Sequence, residues 1–498
     1  MKRSQVTSIP ASLLPLLSAA TAGLLAMLAL IQLSRAIVAI MSPIEAMYGE
    51  AIIHDQAARL LRGEPLYQPL TSPPYAVAAY TPVYYYLAAA LQAVWGAGFG
   101  PGRMASFLAG LLVVALVSRL TLQRTGDPAA SFFAGLAFLG LGLPGPNPWF
   151  GLYKEDVLGV LFSLAAVACL SDGMSQRRCM LAGLLAALAI LTKQTHLATM
   201  AMVGLWLFRQ DRTGGTIYGA IVSILVLGVG VAFELATGAY LANTIFANVN
   251  PFQIAALVAN LQTLGVYQGV PIVIVAIYIF RGTWNRWDSL LTWFWIGSAL
   301  QLIGLAKVGS NHNYWMELAA ASAVLGTAGI WAALRHFGQC EPRVLSDRAV
   351  AGRLLVLAAL PVIIGSVGLM RFGLAVPESP ELPQLIDVVR SEPLDVLAVP
   401  LDVLALSNRP ILLEPYLYSI LEREGRWDSG PLVERIMRGE IGLVIVDRPL
   451  EFAGPHYHGY PHWPDSVLHA LRTTMTLDSV LGDHYVYRPA VAHPASLL

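Results

Sequence analysis

The chain has 498 residues, 56% of them hydrophobic and 12% charged, and its 31 basic and 31 acidic side chains cancel. Soluble globular chains carry about 25% charged residues, so this composition, with a mean hydropathy of +0.61, excludes an ordinary soluble domain and specifies a polytopic membrane protein. Zero net charge argues against a nucleic-acid partner, and three cysteines (Cys169, Cys179, Cys340) without CxxC spacing argue against a disulfide framework or a thiolate metal site.

The N-terminal MKRSQ and the apolar run behind it resemble a signal peptide, but the run is too long and lacks a small-residue cleavage site. It reads as a retained signal anchor spanning 12–40. Lys2 and Arg3 put the N-terminus in the cytoplasm by the positive-inside rule. The next stretch, 41–82, is polar, carries Glu45, Glu50, His54 and Asp55, and returns through a Pro- and Tyr-rich segment. A polar loop of about forty residues in a chain of otherwise short connections points to function. Residues 84–95 are apolar and aromatic. Placing them in the interface rather than across the bilayer sends Arg119 and Arg124 to the cytoplasm.

Further spans are expected at 102–120, 128–143, 156–170, 179–191, 195–208, 216–235, 264–280, 289–306, 314–334 and 354–370, about eleven in all at roughly 20 residues each. A second long outer loop, 237–263, is expected to hold an interfacial helix. In this arrangement the arginine clusters fall inside, while Lys154, Lys193 and Lys307 fall on the outer side. From about Pro377 the composition turns polar. The runs 394–399 and 442–447 read as buried strands, 429–438 as a helix and 485–487 as a last strand. The division is a transmembrane unit, 1–375, with a catalytic outer loop at 41–101, and a small outer α/β domain, 376–498.

Glu45 and Glu50 lie five apart, about 140° around a helix, so one helix cannot aim both at one substrate. Glu50 and His54 share a face at i, i+4, which makes Glu50 the expected general base, Glu45 the second candidate and His54 a substrate neighbour. Lys154, Glu155 and Asp156 open a span. Asp156 at a helix start reads equally well as a cap, but a cap does not require the lysine. Lys193, Gln194 and His196 sit between two spans, where a lysine commonly snorkels to headgroups. Lys307 precedes Asn311, His312, Asn313, Tyr314 and Glu317. Interfacial anchoring accounts for the aromatic residues there, and a polar pocket accounts for the amides and the imidazole. His456, His458 and His462 lie in a Gly- and Pro-rich segment that reads as loop histidines rather than a zinc site. Lysines suit phosphate oxygens and a carboxylate suits removal of a hydroxyl proton.

Glu50-Ala-Ile, the run 57–67 ending Arg-Gly-Glu-Pro-Leu-Tyr, Tyr80-Thr-Pro-Val-Tyr84, Gly102-Arg103, Lys154-Glu-Asp156, 189–194 and Asn313-Tyr-Trp-Met-Glu317 appear in an order that resembles the GT-C superfamily of membrane glycosyltransferases, among them the PMT-type, family-39-like proteins akin to aminoarabinose, mannosyl and galacturonosyl transferases. The resemblance covers about residues 40–320. It implies a GT-C core of transmembrane helices with interfacial helices in the first outer loop. It also implies inverting transfer of a sugar from a polyprenyl-phosphate donor to a lipid, glycan or protein acceptor, on the periplasmic face of a bacterial inner membrane. An acidic residue of the first outer loop would be the base, with Asp156 assisting, and Lys154, Lys193 and Lys307 would hold the phosphate. His54, Tyr67, Tyr80, Asn311, His312, Asn313, Tyr314 and Glu317 complete the expected substrate contacts. No cofactor is specified and a divalent cation stays open. One departure is plain: Gly49-Glu50 stands where such proteins often have Asp-Glu. The competing expectation is a transporter or lipid-linked-sugar flippase, which would need polar groups distributed through span centres.

Overall fold

The computed structural model describes residues 13–141, 148–280, 289–339, 379–452, 455–457 and 460–490. The expected span 354–370, the expected boundary at 375/376, and His458 lie outside these residues.

Apolar sequence runs become helices because every backbone polar group in a bilayer must be paired within its own segment. In chain order they are α1 (Leu13–Met41), α2 (Glu50–Leu61), α3 (Val83–Trp95), α4 (Gly100–Thr125), α5 (Pro128–Leu141), α6 (Asp156–Ser171), α7 (Gln176–Thr192), α8 (Leu197–Gln210), α9 (Arg212–Thr237), α10 (Tyr240–Thr244), α11 (Ile254–Phe280), α12 (Leu290–Gln301) and α13 (Met316–Gln339). Among the described residues, α1, α4, α9, α11 and α13 carry stretches long and apolar enough to cross a membrane, while α5, α6 and α12 with its following turn are shorter apolar helices. Each of the first ten expected spans falls on one of these helices. The 84–95 run forms α3, a helix of 13 residues that packs on α2.

Helix α11 begins about ten residues before the expected 264. The polar run Asn260-Leu-Gln-Thr reads as loop, yet Asn260 bonds the carbonyls of Ala256 and Leu305 from within the helix. A half-buried amide so satisfied does not terminate a helix.

The C-terminal α/β unit holds β1 (Asp395–Val399), β2 (Ile441–Val446), β3 (Pro455–Tyr457), β4 (Tyr460–Pro461), β5 (Met475–Leu481) and β6 (His484–Pro489). The main sheet runs β1-β2-β6-β5, with β1 and β2 parallel and the other pairs antiparallel. β1 and β2 are almost wholly buried, as their unbroken apolar runs predict. β5 is mostly exposed and carries no such run, so it escapes a pattern reading.

This unit caps one end of the bundle. A single apolar core joins Ala51, Ile52 and Ala57 of α2 to Leu385, Val396, Leu401 and Leu443 of the cap. A second unites Tyr75 and Val77 with the sheet. Tyr75 stands edge-on to Tyr418 and Trp427, and its backbone pairs with Leu412 and Glu414. The polar loop is thus clamped between bundle and cap.

Candidate functional site

Between bundle and cap lies a cavity of about 460 Å³ whose lining includes Tyr48, Tyr80, Lys154, Asp156, Lys193, Lys307, Asn311, Asn313, Tyr314, Glu414, Tyr416 and His462. Segments distant in sequence converge there. All three expected lysines line it, as do Tyr80, Asp156, Asn311, Asn313 and Tyr314.

The lysines differ in their partners. Lys193 sits in extended backbone where α7 stops, and its ammonium meets Glu155 at 2.8 Å and Asp156 at 2.5 Å. Tyr80 lies beneath it, 4.7 Å from ring centre to Nζ. Asn313 donates to the same Asp156 oxygen at 2.7 Å. Two carboxylates therefore already absorb the Lys193 charge. The Lys154 ammonium donates to the Tyr48 carbonyl at 3.1 Å. Lys307 is held by backbone: it forms an isolated antiparallel bridge with Phe252, and Val308 N–H and Asn250 fix the same crossing. Neither Lys154 nor Lys307 has a carboxylate partner among the described residues, so these two can offer their charge to an anion.

The loop carboxylates stand elsewhere. Glu50 is fully buried and does not line the cavity. Its Oε1 accepts from Arg103 Nε at 2.9 Å and Tyr153 N–H at 2.5 Å. Its Oε2 accepts from Arg103 Nη2 at 2.7 Å, Ala46 N–H at 2.7 Å and Met47 N–H at 3.3 Å. Arg103 spends its remaining N–H groups on the carbonyls of Ala39, Ser42 and Ile44. Both oxygens of Glu50 are thus taken up inside the protein, where the side chain links the loop to the ends of α1 and α4, away from the cavity it was expected to serve as base.

Glu45 does not line the cavity either. It accepts from Ala51 N–H at 3.1 Å, satisfying one of the orphan donors at the start of α2. Burial, then Asp402 and Glu50, push its carboxyl up to about 8. His54 is also away from the cavity. It packs against Phe99 and Tyr153, accepts from Gly98 N–H at 3.0 Å, and burial lowers its pKa to about 4, leaving it neutral. Tyr67 donates to the Tyr80 carbonyl at 3.0 Å from an aromatic pocket of Phe233 and Tyr240. His312 stacks on Trp315 with centroids 4.5 Å apart. Glu317 lies in a small polar recess beside the cavity, bonded to His196 at 2.7 Å and Thr199 at 2.6 Å.

Gly49 explains the departure at the Gly-Glu pair. Its φ is +96°, and the Lys154 ammonium occupies the space a Cβ would take. A side chain here would be strained and would evict the lysine.

The residues that sequence reasoning missed come mainly from the cap: Glu414, Tyr416 and, as a site residue, His462. Glu414 precedes the helix Pro415–Arg423, is 7% exposed, and accepts from Val77 N–H at 3.2 Å. Burial pushes its carboxyl up to about 7. Among the described residues no group of three His, Cys, Asp or Glu side chains is placed to hold a metal ion.

No family model matches the sequence, and no curated protein matches it. Solved structures do match. ArnT from Cupriavidus metallidurans bound to undecaprenyl phosphate superposes with a TM-score of 0.60 at 12% identity, over 93% of this chain and 98% of that one. Its apo form gives 0.59 at 13%, over 94% and 98%. The archaeal oligosaccharyltransferase AglB from Archaeoglobus fulgidus, in complex with an inhibitory peptide and a dolichol-phosphate, gives 0.58 at 13%, over 93% and 74%. The fold is the GT-C fold. In GT-C terms the bundle and its capping α/β unit both have counterparts, since the match to ArnT spans nearly the whole of both chains.

Proposed function

We propose that this protein is a glycosyltransferase that moves a sugar from a polyprenyl-phosphate donor to an acceptor hydroxyl in the cell envelope, on the periplasmic face. The observation that carries this reading is the convergence of Lys154, Lys193 and Lys307, from three distant segments, on one cavity at the capped end of an apolar bundle. A lipid carrier would keep its chain in the bilayer and bring its phosphate to that depth. The structural likeness to ArnT bound to undecaprenyl phosphate and to AglB with a dolichol-phosphate supports the same donor class.

Lys307 and Lys154 would hold the phosphate and stabilise the charge that develops on it as the glycosidic bond breaks. Asp156, aligned by Lys193 and Asn313, would orient the sugar or the leaving phosphate. Glu50 would act at one remove, through Arg103, by holding the loop that forms one wall. A single displacement at the anomeric carbon would invert its configuration. The polar groups gather at one end, which favours transfer at a fixed site over transport through the span centres.

The test is donor turnover by the purified full-length protein in phosphatidylethanolamine–phosphatidylglycerol liposomes. Undecaprenyl phosphates carrying radiolabelled pentoses and hexoses are supplied one at a time, with extracted envelope glycolipids as acceptors. Release of undecaprenyl phosphate with label appearing in the acceptor is the expected result. Movement of the donor across the bilayer without cleavage would favour the flippase instead.

A further inference from the structure

The cavity is lined by two carboxylates, Asp156 and Glu414. Asp156 is ion-paired to Lys193 at 2.5 Å and receives a second hydrogen bond from Asn313 on the same oxygen. A cation so close keeps a carboxylate a poor proton acceptor. Glu414 has no such partner. One oxygen accepts from Val77 N–H at 3.2 Å, and the other has no hydrogen-bond partner among the described residues. The side chain is 7% exposed and borders the space shared with Lys154. The loop carboxylates Glu45 and Glu50 do not line this space, and both oxygens of Glu50 are taken by hydrogen bonds from the protein interior.

We propose that Glu414, carried by the C-terminal α/β unit, is the general base of the transfer, so that the catalytic site is assembled from bundle and cap together. This rests on the glycosyltransferase reading above. In the step, the acceptor oxygen forms a bond to the anomeric carbon of the donor. The bond from that carbon to the phosphate oxygen breaks, and its electron pair leaves with the polyprenyl phosphate, facing Lys154 and Lys307. The acceptor proton passes to the free oxygen of Glu414. No oxidant or co-reactant is required.

The surroundings suit a base that works near neutrality. Burial raises the Glu414 carboxyl to about 7, and the Val77 N–H and then Lys154 limit the rise. The other titratable groups around it are Tyr48, Tyr416, Tyr418, His462 and, beyond Tyr48, Glu45. Glu414 is also well anchored. Its own N–H bonds the Tyr75 carbonyl at 2.7 Å, and the backbone of Tyr75 pairs with Leu412. The carboxylate is thus fixed to the polar loop as firmly as to its own unit.

The experiment compares wild type, Glu414→Gln and Glu414→Asp in the liposome assay, with kcat and donor KM measured from about pH 5 to pH 9. The amide oxygen of glutamine can still accept from Val77, so a purely structural role predicts normal turnover. The base role predicts a fall in kcat of about 10²–10³-fold in Glu414→Gln, an unchanged donor KM, loss of the ascending pH limb near 7, and partial recovery in Glu414→Asp. Wild-type kcat with an intact ascending limb in Glu414→Gln overturns the assignment and leaves the glycosyltransferase reading standing. Absence of wild-type turnover with every donor, together with no binding of undecaprenyl phosphate, overturns that reading and the assignment with it.

Discussion

Glu50 and Arg103 form a closed pair: the guanidinium meets the carboxylate at 2.9 and 2.7 Å, and neither side chain has exposed surface. The arginine also gathers three carbonyls from the end of α1 and the loop behind it. Replacing one member leaves the other as a buried, uncompensated charge, which costs about 3–5 kcal/mol. Glu50→Gln is therefore expected to lower thermal stability in detergent sharply, with activity lost in step with folded protein. Changing Arg103 to Met in the same chain should recover part of that loss, because no charge is then stranded. Thermal unfolding of the two singles and the double, fitted as a cycle, checks this.

Lys307 and Lys193 should separate in the opposite sense. Lys307 has no carboxylate partner among the described residues, so Lys307→Ala should leave unfolding nearly unchanged. It should weaken undecaprenyl phosphate binding about 10–100-fold, the worth of one charge-assisted hydrogen bond of about 1.5–3 kcal/mol. Lys193→Ala strands Glu155 and Asp156 together and should cost more stability than Lys307→Ala. Calorimetric titration with undecaprenyl phosphate, paired with melting curves, reads both.

Gly49 is open to a simple substitution. At φ +96° a side chain costs about 1–3 kcal/mol of backbone strain, and a Cβ competes with the Lys154 ammonium for one position. Gly49→Ala should lower stability by that amount and, by displacing Lys154, reduce donor affinity in the same titration.

The pH dependence of stability has a fixed sign. A carboxyl whose folded pKa is raised holds its proton more tightly folded than unfolded. Its stabilising contribution is complete below the ordinary carboxylate value and is lost as pH rises through the folded value. For Glu414 that window ends at about 7, and for Glu45 at about 8. His54, lowered to about 4, acts oppositely: its contribution is present above its ordinary value and is lost as pH falls toward 4. Melting temperature should decline from about pH 5.5 to pH 8.5, and a Glu45→Gln, Glu414→Gln double variant should decline less.

The bundle is legible in the sequence because lipid imposes a strong rule. Ten expected spans fall on helices, and three lysines assigned to one side meet in one cavity. What sequence alone misses is partner choice. Nothing in the spacing of Glu50 tells that Arg103, 53 positions on, will claim both its oxygens. Glu414 stands between the apolar run Ile411-Leu-Leu and a proline that opens a helix, and reads as an ordinary helix start. Only the pairing of Tyr75 with Leu412 and Glu414 carries its carboxylate to the cavity. Periodicity reports which face of an element is buried and is silent on which distant loop will cover it.

Donor turnover by the purified full-length protein tests the central claim most directly. With undecaprenyl-phosphate-linked radiolabelled sugars in liposomes, wild type should release undecaprenyl phosphate and label an envelope acceptor, and Lys307→Ala should slow this without unfolding the protein. Neither turnover nor undecaprenyl phosphate binding by folded wild type, across the whole donor panel, would contradict it.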